Sequence, residues 1–335
     1  MNKEMKTIGI LTSGGDAPGM NAVVRAVTRT ALFNDMKVKG IYKGYAGLMD
    51  KTMEDLSLRS VSNILERGGT ILYSARSAEF REDAGVEKGK DNCIAAGIDG
   101  LVVCGGDGSF RGARDLSLKG IPCIGIPGTI DNDIACSEYT IGFDTAVRTV
   151  VENIDRLRDT TQSHDRCSVV EVMGRHCGDI ALQAGICCGA VSVLVPEIEF
   201  DIDRDVIAKM QHTLKAGKNH FIVIVSEGVT GTSGGAGAGA MTAAQMAQYI
   251  EEKTGVETRA TVLGHVQRGG SPSPRDRMVA AQMGHYAVEL LKKGIGNRVV
   301  AMKNGRVVDY DILEALEMKR EIDRELYRIC NEISI

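Results

Sequence analysis

The 335-residue chain carries 40 basic and 44 acidic side chains, a net charge of −4, and 43% of its residues are hydrophobic. That balance excludes a polybasic surface for nucleic acid or acidic lipid, and 4% aromatics with no Trp leave no base-stacking platform. No apolar run approaches the roughly 18 residues of a membrane helix, and the length predicts about two domains.

Short apolar runs at 8–11, 37–42, 101–104, 123–126, 168–172, 191–195, 221–225, 261–263 and 299–302 read as strands. Helical segments are predicted at 18–33, 144–158, 204–214, 242–253 and 275–293. The first run opens with no signal-peptide pattern before it. Pro18 suits a first helical turn, with Asp16 as its cap. In 144–158 the apolar residues Val147, Val150, Val151, Ile154 and Leu157 recur at steps of three and four. The charged C-terminal segment reads as a further helix. Alternation of this kind predicts an α/β protein whose mostly parallel sheets, two in number, are covered on both faces.

The nine Cys form no C-x-x-C pair, which fits reduced thiols in a cytoplasmic protein, and the six His show no zinc spacing. Forty Gly beside six Pro point to loops where backbone closely approaches a ligand. The 228–240 tract, almost all Gly, Ala, Ser and Thr, reads as a flexible surface loop. Its G-x-G-x-x-A match at Gly235, Gly237 and Ala240 lacks the strand-to-turn setting of a dinucleotide site.

In open α/β sheets, ligands bind beyond the carboxyl ends of the strands. Six predicted strands end in polar or glycine-rich strings. They begin at Thr12, Gly105, Pro127, Met173, Ser226 and Gly264. Any one could be a plain turn; six carrying carboxylates and arginines are not punctuation. Gly-Gly-Asp occurs twice between a strand and a helix start, where free N–H groups and the helix dipole suit phosphate. With no G-x-x-x-x-G-K-[ST], phosphate charge must be met by a metal and by arginine. Asp107 is the natural magnesium partner, and Arg76 and Arg175 are candidates to steady a transferring phosphoryl group. Asp131 and Asp133, two apart in an extended segment, face the same way, one to accept a hydroxyl proton and the other toward the metal. His265 and Arg268 can grip a phosphate monoester, and Glu227 can accept from sugar hydroxyls. Spacing alone does not place Arg166 and Arg259. The residues describe an enzyme joining a nucleotide polyphosphate, a metal and an anionic hydroxylated acceptor.

The strings ILTSGGDAPGMN, GGDGS, PGTIDND, IGFDTA, VVEVMGR and TRATVLGHVQRGGSP resemble those of the bacterial ATP-dependent 6-phosphofructokinase family, from about residue 6 to beyond 320. The resemblance implies transfer of the ATP γ-phosphoryl group to the 1-hydroxyl of fructose 6-phosphate, the committed step of glycolysis. It implies two α/β/α sandwich domains with the active site in the cleft between them. Residues 1–141 with 266–315 would bind ATP, and 142–265 with 316–335 fructose 6-phosphate. Asp131 would be the base, Thr129 and Ile130 would contact sugar and phosphate, and Asp107 with Asp133 would hold Mg2+. Gly15, Arg76, Ser77, Gly106, Asp107, Gly108 and Ser109 would line the ATP site. Met173, Gly174, Arg175 and Glu227 would contact the sugar, and His265 and Arg268 its 6-phosphate. Arg166 and Arg259 would serve that phosphate in a neighbouring subunit, so the resemblance implies a shared site in a homotetramer, with no nucleic-acid or membrane partner.

Pyrophosphate-dependent relatives carry Asp where this chain has Gly108 and Lys where it has Gly128, so ATP is the expected donor. Arg25, Arg29, Arg158 and Lys218 match the basic residues of the family's effector pocket. Leu58, Asn63 and Val191 replace an arginine, an aspartate and a glutamate there, with Arg59 as partial compensation, which predicts weak or altered control by ADP and phosphoenolpyruvate. The alternatives are a kinase of another ketose phosphate, such as sedoheptulose 7-phosphate, and a non-catalytic regulatory relative. The latter predicts damage at Asp131, Asp107 or Arg175, and all three are intact.

Overall fold

The computed structural model describes residues 5–230 and 241–334. The chain divides into two compact units, Met1–Thr145 with Arg268–Arg320, and Ala146–Gln267 with Glu321–Ile335. The first stretch runs β1 (Thr7–Thr12), α1 (Met20–Phe33), β2 (Lys37–Ile41), α2 (Gly44–Met49), β3 (Met53–Asp55), α3 (Asp83–Ala95), β4 (Gly100–Gly105), α4 (Asp107–Leu118) and β5 (Cys123–Pro127). Then come α5 (Phe143–Ser163), β6 (Cys167–Val172), α6 (Asp179–Cys188), β7 (Ser192–Leu194), α7 (Ala208–Lys215), β8 (Phe221–Ser226), α8 (Ala243–Thr254) and β9 (Thr258–Val262). The last elements are α9 (Pro274–Lys292), β10 (Arg298–Lys303), β11 (Arg306–Asp311), α10 (Ile312–Glu317) and α11 (Arg324–Glu332).

The first unit holds a seven-stranded sheet in the order β11-β10-β5-β4-β1-β2-β3. Its centre is parallel, and the two edge strands, β3 and β11, are antiparallel. Every residue of β4 and β5 is buried, as expected for strands covered on both faces. The order reverses between β1 and β4, so the topological switch point lies where Thr12 sits opposite Cys104. Leu11, Leu101, Val103, Phe110 and Leu116 anchor the core on one side of this sheet. The second unit holds a parallel four-stranded sheet, β7-β8-β6-β9, around Val169, Leu194, Met210, Phe221, Val223 and Ile250.

Several local expectations change. Helix α1 begins at Met20 and Asp16 does not cap it; Gly19 occupies the cap with φ 109° and no side-chain bond. A Cβ at Gly19 would lie 2.6 Å from Ile141 Cγ2, so close approach, and not capping chemistry, sets that start. The strand predicted at 261–263 is found at Thr258–Val262, an exposed edge whose polar residues carry no apolar run. The 204–214 helix opens as a π-helical turn over Asp203–Ile207 before α7. Of the 228–240 tract, residues 231–240 lie outside the described residues, and with them Gly235, Gly237 and Ala240. No described helix is long and apolar enough to cross a membrane.

One buried carboxylate ties the start of α5 to the start of α9. Asp276, fully buried, accepts from Gly142 N–H at 2.7 Å and from Tyr139 O–H on Oδ1. Its Oδ2 accepts from Thr145 N–H at 2.9 Å, from Thr145 Oγ1–H, and from Ser273 Oγ at 3.4 Å. The negative charge thus meets otherwise orphaned donors at the N-terminus of α5. Burial pushes its pKa up, opposed by these hydrogen bonds. Each oxygen takes a backbone N–H, so an amide here must aim its NH2 at a donor. Asp276→Asn is expected to cost about 2–4 kcal/mol in urea denaturation. A loss below about 1 kcal/mol would show that the knot does not hold the two helix starts.

Candidate active site

Three strand ends meet at the switch point. Beyond β1 and β4, Ser13 N–H donates to Cys104 O at 2.9 Å, and beyond β4 and β5, Gly128 N–H donates to Gly105 O at 3.0 Å. Backbone pairing therefore continues past the strands and fixes the roots of all three loops. Within the first unit these loops line a pocket of about 720 Å3, in the size range of small-molecule sites. Gly15, Arg76, Ser77, Gly106, Asp107, Gly108, Ser109, Thr129, Asp131, Asp133 and Arg268 all line it. Ile130 does not; it is fully buried beneath the loop and serves as its anchor.

The 127–133 loop reaches this arrangement by a different route from the one its spacing suggests. It is not extended: Asn132 adopts φ 53°, a left-handed conformation that Asn tolerates. The buried Asn132 side chain accepts from Thr140 N–H at 3.0 Å, while Thr140 Oγ1–H donates to Thr129 O at 2.7 Å. Asp131 N–H in turn donates to Thr129 Oγ1 at 3.2 Å. The turn brings Asp131 and Asp133 to one pocket although the strand-like alternation is broken.

Charge is concentrated there. Burial, then the negative charges of Asp131 and Asp107, push the Asp133 carboxyl up to about 6, against a backbone hydrogen bond and Arg320. Asp107 opens α4, whose first-turn N–H groups face the pocket with the positive end of the helix dipole. Arg268 packs over Gly15 and donates to Asp16 O at 3.3 Å. The sequence reading missed four further polar lining residues, Arg81, Arg111, Arg114 and Asp115. The i, i+4 spacing of Asp107 and Arg111 was the available signal. It also missed the stacked pair Tyr45 and Phe80, with ring centroids 4.2 Å apart, and the Tyr45 hydroxyl donates to Ser109 O.

The second unit gathers the other predicted residues at its own strand ends. Val172 pairs with Ser226 in register, which sets Met173-Gly174-Arg175 beside Glu227-Gly228. Met173 N–H donates to Gln267 Oε1 at 3.1 Å, and Ser226 Oγ–H to Gly174 O. Arg175 and His265 are exposed, the latter on the 3-10 turn Gly264–Arg268. Arg166 and Arg259, which spacing left unplaced, flank one carboxylate. Arg166 Nε lies 2.8 Å and Arg259 Nη2 2.5 Å from Glu257, whose pKa the Arg166 hydrogen bond lowers.

Among residues matched to an effector pocket, Arg25 is half-buried and Arg29 exposed on α1, and Arg158 Nη2–H donates to Cys188 O. Burial, then the Arg158 charge, lower the pKa of Lys218. Leu58, Arg59 and Asn63 are exposed, whereas Val191 is fully buried in the core of the second unit.

The phosphofructokinase family profile matches residues 7–291. Among curated relatives, the ATP-dependent 6-phosphofructokinase of Bacillus cytotoxicus is 53% identical over 99% of this chain and all of its own length. That of Lysinibacillus sphaericus is 54% identical with the same coverage. The solved phosphofructokinase of Saccharomyces cerevisiae superposes with a TM-score of 0.84 at 32% identity. That match covers 98% of this chain, which spans about half (48%) of the yeast chain. On profile, relatives and fold alike, the chain belongs to the phosphofructokinase family.

Proposed function

We propose that this chain transfers the γ-phosphoryl group of ATP to the 1-hydroxyl of fructose 6-phosphate, releasing ADP and fructose 1,6-bisphosphate. The carrying observation is the first-unit pocket, where Asp107, Asp131, Asp133 and Thr129 share one space with Arg76 and Arg268. The near full-length likeness to relatives named ATP-dependent 6-phosphofructokinase supports the same reading.

Asp131 takes the proton of the sugar 1-hydroxyl as that oxygen bonds to the γ-phosphorus and the bond to the β,γ-bridging oxygen breaks. Thr129 positions the reacting groups. Arg76 and Arg175 meet the charge on the phosphoryl oxygens in flight. The N–H groups at the start of α4, with Gly15 and Ser77, hold the nucleotide phosphates. Asp107 and Asp133 line the same pocket and offer only oxygen donors, which fits a hard divalent cation that takes one or two carboxylates beside substrate phosphates. Mg2+ would be held by Asp107 with support from Asp133, and it supplies neutralisation of the β- and γ-phosphate oxygens. Met173, Gly174, Arg175 and Glu227 take the sugar, and His265 and Arg268 its 6-phosphate. Arg166 and Arg259, gathered around Glu257, serve a neighbouring copy in a homotetramer that works in the cytoplasm.

Donor choice rests on two glycines. A Cβ at Gly108 meets nothing within 4 Å, so that wall is open for nucleotide phosphate. A Cβ at Gly128 would lie 2.6 Å from Cys104 Sγ, so a longer side chain there has no room unless Cys104 moves. ATP is expected to support turnover with fructose 6-phosphate in a coupled assay, and pyrophosphate is not; comparable rates would overturn the donor assignment. Gly108→Asp should fold normally and lose at least about tenfold in kcat/KM for ATP, a contact-scale loss. For the base, Asp131→Ser is expected to lower kcat about 10²–10⁴-fold with ADP binding retained. Near-normal turnover would refute its role.

A further inference from the structure

Asp107 already has a cationic partner. Arg111 stands one helical turn further along α4, with Nε and Nη2 each 3.0 Å from Asp107 Oδ2. Both side chains are about half exposed and both line the pocket. Its arginine neighbours are disposed differently. Arg114 is held by Asp115 at 2.8 Å, and Arg76 and Arg81 have no ion-pair partner among the described residues. Two guanidinium groups therefore stand ready for phosphate, while a third is committed to the carboxylate assigned to the metal.

We infer that Arg111 is a resident counter-ion of Asp107, exchanged when a metal-bearing nucleoside polyphosphate binds, and that the released guanidinium then holds a phosphate. Exposed i, i+4 pairs are weak and exchange readily. The exchange leaves both members of this pair matched in either state. Before binding, carboxylate and guanidinium satisfy each other; afterwards Asp107 faces a divalent cation and Arg111 a phosphate, which its planar fork fits. The inference rests on the nucleotide reading of this pocket. It has a thermodynamic signature: Arg111 opposes metal binding when no nucleotide is present and favours nucleotide binding when no metal is present.

Two measurements on the full chain, both independent of turnover, test it. Mn2+ binding without nucleotide, followed by the paramagnetic resonance of free Mn2+, should be about fivefold tighter in Arg111→Met than in the unaltered protein. ADP binding in EDTA, followed by calorimetry, should be about tenfold weaker in the same variant. Arg111→Lys, which keeps the charge but not the fork, should fall between in both, and it provides the test should the methionine variant melt early. Unchanged or weaker Mn2+ binding would mean that Arg111 orients Asp107 for the metal, and unchanged ADP binding would mean that it never reaches a phosphate; either overturns the exchange. Absence of kinase turnover in the unaltered protein would defeat the proposed function, while these two titrations would still decide the role of Arg111.

Discussion

Three carboxylates that line one pocket, Asp107, Asp131 and Asp133, are the constraint around which the first unit's loops are arranged. Asp107 opens α4, and Asp131 and Asp133 come from the loop after β5; burial, then the charges of Asp131 and Asp107, lifts the Asp133 carboxyl to about 6. Such a cluster persists only where something else holds its members in place and where cations complete it. Arginines on the same walls, Arg76, Arg81, Arg111, Arg114 and Arg268, provide part of that positive charge. The proposed divalent cation would supply the remainder.

The holding is done by backbone and by buried polar groups away from the chemistry. Central strands buried on both faces set the loop roots, and hydrogen bonds beyond the strand ends carry that rigidity outward. Ile130 anchors the loop from below, and Asn132 turns it through a left-handed conformation and captures Thr140. The far end of the same segment runs into α5, whose first turn is tied to α9 by Asp276. Packing energy, spent far from the pocket, keeps like charges close together.

Much of this was legible in the residues, and the failures have identifiable causes. Central strands announce themselves as apolar runs because both faces are buried. The edges β3, β9 and β11 do not, since solvent faces them and their residues are mixed. Helix α3 escaped notice because Gly85 and Gly89 interrupt its pattern; the latter lets Phe80 pack against the helix, where a Cβ would lie 2.7 Å from the ring. Asp131 and Asp133 do line one pocket, but not by strand alternation, because the residue between them is in a left-handed turn. Arg166 and Arg259 meet only through the parallel pairing of β6 with β9, a long-range register that no local spacing encodes. Arg111 was passed over because a single arginine on a helix reads as a solvated charge, although its i, i+4 spacing from Asp107 marks a pair.

The proposed function requires the acids at the switch point to take a divalent metal and a nucleotide together. Calorimetric titration of ADP into the protein with and without Mg2+, repeated on Asp107→Asn, tests it most directly. Mg2+ is expected to tighten ADP binding in the unaltered protein and to lose most of that effect in the variant. Equal ADP affinity with and without the metal, or an undiminished metal effect once the position 107 carboxylate is gone, would contradict it.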